Sequence, residues 1–271
     1  MCELFGLSSS LAVDVKYSLH EFAKHGGQLH QNKSGWGIAY HESKDAVLLK
    51  EPEPASDSPW VQFIESHPIS TTCAIAHVRY ATAGSPSFAN THPFTRELGG
   101  QRHMFAHNGS LPGIWDKMSL KSGRFLPVGE TDSEYAFCLL LERLMPLWHQ
   151  AKEPPPLQDR LDIVSQVARE LRSLGQINFL YSDGETLFVH AHQRRWEENG
   201  SFSEPRSPGL SIISLDGAEL STRGLHVKGT NENVAITAVA SVPLTAEGWT
   251  PLPEGAVLAI CRGREVARIE A

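Results

Sequence analysis

Cysteine is scarce in this chain: its 271 residues hold four, Cys2, Cys73, Cys138 and Cys261. None forms a C-x-x-C pair or stands at zinc-ligand spacing. This argues against a disulfide framework and a cysteine-held metal and predicts reduced thiols, with Cys73 and Cys138 buried in apolar runs. Long apolar stretches are missing as well, since no window approaches the roughly 20 residues that span a bilayer. The opening Met1-Cys2-Glu3-Leu4-Phe5-Gly6-Leu7 has neither the basic start nor the apolar length of a signal peptide, and a cytoplasmic protein without a membrane partner is expected. Positive charge is in deficit, with 24 Lys and Arg against 31 Asp and Glu, a net charge of −7 and no basic cluster. That balance argues against a nucleic-acid partner and favours a small neutral or zwitterionic substrate. The 13 histidines form no H-E-x-x-H and no Cys/His cluster, and His190 and His192 share a strand face without an evident carboxylate. No metal and no cofactor is therefore expected.

What is present is ample apolar material, 41% of the chain, enough for a large core. One domain over residues 2–271 is expected. Residues 3–9, 36–41, 46–50, 72–79 and 102–107 read as strands, interrupted by helical stretches at Val13–Lys24 and Pro59–Ser66. Tyr135, Phe137, Leu139, Leu140, Leu144 and Leu147 recur at helical spacing between Thr131 and His149, and a second helix is predicted over Leu161–Leu174. Glu153-Pro154-Pro155-Pro156 between them is a stiff connector. Strand-like runs follow at Gln176–Ser182, Thr186–His192, Leu210–Leu215, Val234–Ala240 and Val257–Cys261, while the polar stretch Arg194–Pro208 reads as a surface loop. Strands, then helices, then strands imply a layered α+β body with helices covering sheet faces.

Several segments are chemically suggestive. Loss of Met1 would give Cys2 both a thiol and a free α-amine, so that one residue carries nucleophile and base. In His77-Val78-Arg79-Tyr80-Ala81-Thr82-Ala83-Gly84 an apolar strand runs into an arginine whose planar fork suits a carboxylate. His107-Asn108-Gly109 offers a side-chain amide donor and an approachable backbone N–H, the pair an oxyanion hole requires, although the same residues also suit an Asn-Gly turn. In Gly129-Glu130-Thr131-Asp132-Ser133-Glu134, Thr131 and Glu134 have capping-box spacing and Asp132 lies in the first helical turn, where the dipole favours negative charge. Glycines flank the tryptophan of Ser34-Gly35-Trp36-Gly37 and permit close backbone approach.

In this order these pieces resemble the glutaminase domain of class-II glutamine amidotransferases, members of the N-terminal nucleophile hydrolase superfamily. The resemblance is carried by Met1-Cys2-Glu3-Leu4, Gly35-Trp36-Gly37, Asn90-Thr91-His92-Pro93-Phe94, His107-Asn108-Gly109 and Gly129–Glu134. It continues more weakly through Tyr181–Gly184 and Ala240–Leu244. It implies a four-layer αββα sandwich of two antiparallel sheets. It also implies that Cys2 attacks the side-chain amide of glutamine, giving a γ-glutamyl thioester and ammonia, with Asn108 and the Gly109 N–H holding the oxyanion. Arg79, with Tyr80 and Thr82 beside it, would bind the substrate α-carboxylate, and Asp132 the α-ammonium. Tyr80 and Ala83 replace the Trp and His usual in synthase-linked enzymes, which implies an altered pocket shape. No synthase motif follows residue 150, so either a separate subunit accepts the ammonia or the reaction is simple hydrolysis. Two further readings remain open: cleavage of a γ-glutamyl group from a larger metabolite, and a non-catalytic protein that binds γ-glutamyl ligands.

Overall fold

The computed structural model describes residues 2–14, 16–67, 69–81, 84–198, 200–216 and 234–270, with the backbone alone for 16–19. In chain order the strands are β1 (Glu3–Asp14), β2 (Trp36–Glu42), β3 (Asp45–Glu51), β4 (Ser70–Val78), β5 (Phe94–Leu98), β6 (Gln101–Ser110), β7 (Gln176–Ser182) and β8 (Thr186–His190). They continue with β9 (Glu197–Glu198), β10 (Ser201–Phe202), β11 (Ser211–Leu215), β12 (Ile236–Ala240), β13 (Thr250–Pro251), β14 (Val257–Cys261) and β15 (Arg264–Ile269). The helices are α1 (Lys16–Lys24), α2 (Pro59–Ser66), α3 (Ile114–Lys117), α4 (Asp132–Trp148) and α5 (Leu157–Arg172).

Two antiparallel sheets face each other, one in the order β13-β11-β12-β1-β4-β2-β3 and the other β15-β14-β8-β7-β6-β5. Period-two alternation sorts β1 between the layers. Leu4 enters the cluster between the sheets with Ile75, Met104, Ala106, Leu180 and Val239. Phe5 and Leu7 turn outward to Phe22 and Ala23 of α1 and Val61 and Ile64 of α2. On the far side Phe105, Ile177, Phe179 and Tyr181 pack against the apolar faces of α4 and α5. The result is the expected four-layer αββα sandwich. Gly6 lets the sheets approach at its centre, for a Cβ there would sit 2.8 Å from Leu180 Cδ1.

The structure departs from the sequence reading at several boundaries. The β-branched and apolar residues after Ser10 extend β1 to Asp14, so the predicted helical start at Val13 is strand. The second long helix begins at Leu157, directly after the proline run, rather than at Leu161. Thr131 caps α4 by accepting from Glu134 N at 3.2 Å, but Glu134 does not complete the capping box. Its carboxylate instead accepts from Val128 N and Gly129 N and pairs with Arg96. Asn108 and Gly109 lie inside β6, opposite Asn178 and Ile177, and do not form a turn.

Sheet register brings the candidate residues together. Glu3 pairs with Val78, and Phe5 pairs with Ala240, so the residues following β4 and β12, Arg79 and Ser241, arrive beside Cys2. The facing sheet presents Asn108 to the same end of the interlayer space.

Candidate active site

Cys2 is half-buried and its sulfur rests against the backbone of Tyr80. Tyr80 N–H donates to Sγ, and the thiol donates to Tyr80 C=O, each over 3.2 Å. Burial pushes the Cys2 thiol up from its ordinary value, more than the Tyr80 hydrogen bond and the Arg79 charge pull it down.

Asn108 is fully buried, and Nδ2 donates to Ser241 Oγ at 3.3 Å. Ser241 Oγ also accepts from Leu4 N at 3.1 Å, and Ser241 N donates to Leu4 O at 3.0 Å, tying the amide to the strand that carries Cys2. Asn108 Oδ1 is buried without a hydrogen-bond partner. Gly109 follows where no side chain fits, since a Cβ would stand 1.9 Å from Gln176 O. His107 is pinned behind them through Nδ1 to Ser133 Oγ at 2.8 Å, and burial holds its imidazole below the usual range.

Arg79 is buried to 3% exposure, and its guanidinium donates to the carbonyls of Ser34, Gly84 and Ser85 at 3.1–3.4 Å. Its own backbone is zipped to the segment before β2: Arg79 N donates to Gly35 O at 2.7 Å, and Ser34 N to Arg79 O at 3.0 Å. Asp132 lies in the first turn of α4, where Oδ2 accepts from Leu111 N at 2.7 Å. Thr82 lies outside the described residues.

Sequence reasoning missed four contributors. The stretch from Arg194 is not simply a surface loop, because Arg194 is 4% exposed, donates to Ser241 O at 2.6 Å and lies against the Trp196 ring. The short hairpin of β9 and β10 that follows sets Phe202 edge-on against Tyr80, with ring centroids 5.3 Å apart. Ser241 lay inside the weak Ala240–Leu244 resemblance, but only the sheet register gives it a purpose. Glu3, 2% exposed, gathers His25, His30 and Asn32 on the outer face of the sheet. No periodicity or spacing marks such a cluster. The reading of His190 and His192 is also corrected: His192 Nε2 lies 3.6 Å from Glu254 Oε1, while His190 Nδ1 meets Ala256 O.

A cysteine thiol, an amide donor and an arginine thus meet at one end of an αββα sandwich, while the Asp132 carboxylate at the start of α4 is held by Leu111 N. The family model for class-II glutamine amidotransferases matches residues 1–271. The chain belongs to that family. It is 34% identical over 268 residues to the Escherichia coli K12 protein named "Putative glutamine amidotransferase YafJ", covering 98% of this chain and all of that one. Among solved structures it resembles a "predicted glutamine amidotransferase" from Pseudomonas aeruginosa, at 29% identity and a TM-score of 0.69 over 98% of this chain and 100% of the other. The fold also matches the glutamine phosphoribosylpyrophosphate amidotransferase of Bacillus subtilis, at 18% identity and a TM-score of 0.58, covering 99% of this chain and 49% of that one. Membership in the class-II glutamine amidotransferases carries the general chemistry of that family, hydrolysis or transfer of the glutamine side-chain amide. No helix among the described residues is long and apolar enough to cross a membrane.

Proposed function

We propose that this amidotransferase hydrolyses the γ-amide of glutamine through Cys2 once Met1 has been removed. The observation that carries the reading is the position of Cys2 Sγ, held on the Tyr80 backbone at the sheet end where Asn108 and Arg79 also converge. A thiol raised by burial keeps its proton at neutral pH and needs a base. The α-amine of Cys2, with a reference pKa of about 7.7–8.0, supplies one within its own residue.

In this reading the thiol proton passes to the amine as sulfur attacks the amide carbon. The oxyanion is held by Asn108 Nδ2, which has a second hydrogen beyond the one given to Ser241, and by Gly109 N–H. The amine returns the proton to the leaving nitrogen, ammonia departs, and water hydrolyses the γ-glutamyl thioester to glutamate. Arg79 and Asp132 take the α-carboxylate and α-ammonium, with Tyr80 beside Arg79. Localisation in the cytoplasm and a small-molecule substrate agree with this chemistry.

The test is glutamate release from L-glutamine by protein whose loss of Met1 is confirmed by intact mass, with Cys2→Ala as the blank. Turnover lost in the variant is expected. Processed protein that leaves glutamine untouched but cleaves γ-glutamyl peptides would move the substrate to a bulkier γ-glutamyl compound, and indifference to all of them would overturn the hydrolytic reading.

A further inference from the structure

Glu3 follows the nucleophile in the chain, yet its side chain points to the opposite face of β1, where a carboxylate is costly to bury. Three donors from the single segment between α1 and β2 compensate it. His25 Nδ1 meets Oε2 at 2.6 Å, His30 Nδ1 meets Oε1 at 2.6 Å, and Asn32 Nδ2 donates to Oε1 at 3.1 Å. Glu3, His25 and Asn32 are buried, and His30 is half-buried. The side chains have the composition of a metal site, but the separations are those of hydrogen bonds. Two ligands held about 2.0–2.1 Å from a tetrahedral ion would stand roughly 3.3 Å apart.

The segment held by Glu3 is the one that holds the substrate arm. Two residues after Asn32, Ser34 N donates to Arg79 O, Arg79 N donates to Gly35 O, and Ser34 Oγ accepts from Ala81 N at 3.1 Å. Between Arg79 and Ala81 lies Tyr80, whose N–H and C=O grip the Cys2 sulfur. The contacts therefore close a ring: Cys2 to Glu3 through the chain, Glu3 to Asn32, Ser34 to Arg79 and Ala81, and Tyr80 back to Cys2.

We infer that Glu3 is a positioning residue, which fixes the segment before β2 and through it sets Arg79 and the Tyr80 cradle relative to Cys2. The ring stands on the contacts above, while its catalytic meaning rests on the reading that Cys2 attacks a substrate anchored by Arg79. The groups facing Glu3 come from two other parts of the chain. His25, His30 and Asn32 lie before β2, and the Arg194 charge approaches from beyond β8 without forming an ion pair within 4.0 Å. Loss of a hydrogen bond to a charged group is typically roughly a tenfold effect or more.

The experiment compares Glu3→Ala, Glu3→Gln and Asn32→Ala with the parent protein, all lacking Met1 and all checked by thermal unfolding. L-Glutamine turnover and alkylation of Cys2 by iodoacetamide, read on the N-terminal peptide by mass, are measured in parallel. Glu3→Ala is expected to raise KM about tenfold or more while kcat stays within about threefold, because the displaced groups bind rather than react. Glu3→Gln, which keeps an acceptor for Asn32, is expected to restore most of that loss. If Glu3→Ala does not fold, Asn32→Ala cuts the same Glu3–Asn32 link from its other side and is expected to raise KM in the same way. A KM within about twofold of the parent in either folded variant overturns the inference. Should the parent leave L-glutamine untouched, glutamine is not its substrate. The inference is then decided by alkylation: an at least roughly fivefold faster reaction of Cys2 in Asn32→Ala upholds it, and an unchanged rate overturns it.

Discussion

The Cys2 sulfur is bound at both ends of one residue: Tyr80 N–H donates to it and Tyr80 C=O accepts its proton, each at 3.2 Å. Only the first contact survives ionisation and it favours the thiolate, so it is burial, not the Tyr80 backbone, that keeps the thiol protonated. The Tyr80 ring, in turn, is met edge-on by Phe202 of the β9–β10 hairpin.

In protein that retains Met1, the Cys2 nitrogen is an amide and cannot serve as base. Alkylation of Cys2 by iodoacetamide is then expected to keep rising above the ordinary thiol range, about pH 8.5, because burial raises this thiol. Removal of Met1 is expected to shift the rise to lower pH. A plateau reached by neutral pH in the Met1 form would contradict the buried, protonated thiol.

Asn108 anchors to Ser241 with one amide hydrogen, and the other is the one proposed to hold the oxyanion. Asn108→Ala is expected to lower kcat about 10²- to 10³-fold with a far smaller change in KM, as removal of an oxyanion donor does. An effect on KM alone, measured by steady-state kinetics on glutamine, would place Asn108 outside the hole.

Gly109 leaves no room for a methyl group. A Cβ would meet backbone, Gln176 O at 1.9 Å and Gln176 C at 2.6 Å, so the β6–β7 pair would have to separate. Gly109→Ala is expected to cost about 3 kcal/mol or more, seen as a lower midpoint in chemical denaturation. Unchanged stability would mean that the strands part easily here.

The Glu3–His30 contact gives stability a pH window. Burial alone would raise the Glu3 carboxyl, but hydrogen bonds from His25 and His30 outweigh it and hold it at about 2. Its contribution is present above its unfolded value, about 4.3, and is lost as pH falls toward that lower value. The hydrogen bond to Glu3 raises His30, whose charged contribution is complete below about 6.5 and is lost as pH rises through its folded value. The difference in thermal midpoint between the parent and Glu3→Gln is therefore expected to be largest between about pH 4.3 and 6.5 and to narrow on either side. A difference independent of pH would show that volume rather than charge decides it.

Much of the layered fold was legible because alternation along β1 and the helical spacing of Tyr135 to Leu147 are local patterns that survive without tertiary context. Boundaries were less so. Val13 continues a strand because Val13 and Asp14 pair with Thr71 and Ser70, and no property of residue 13 announces that partner. Arg79 and Asn108 stood out because each follows an apolar strand, Cys2 because loss of Met1 would free its α-amine, and Asp132 because it falls in the first turn of a helix.

By itself the sequence determined which residue types are candidates for the chemistry and which faces are apolar, since composition and period follow from neighbours in the chain. Tertiary structure alone decided that Arg79 and Ser241 flank Cys2, that Arg194 is buried, and that Glu3 meets His25, His30 and Asn32. Those contacts arise from antiparallel register and from loops folded across a sheet, where residues distant in sequence share one space and no local pattern encodes the meeting.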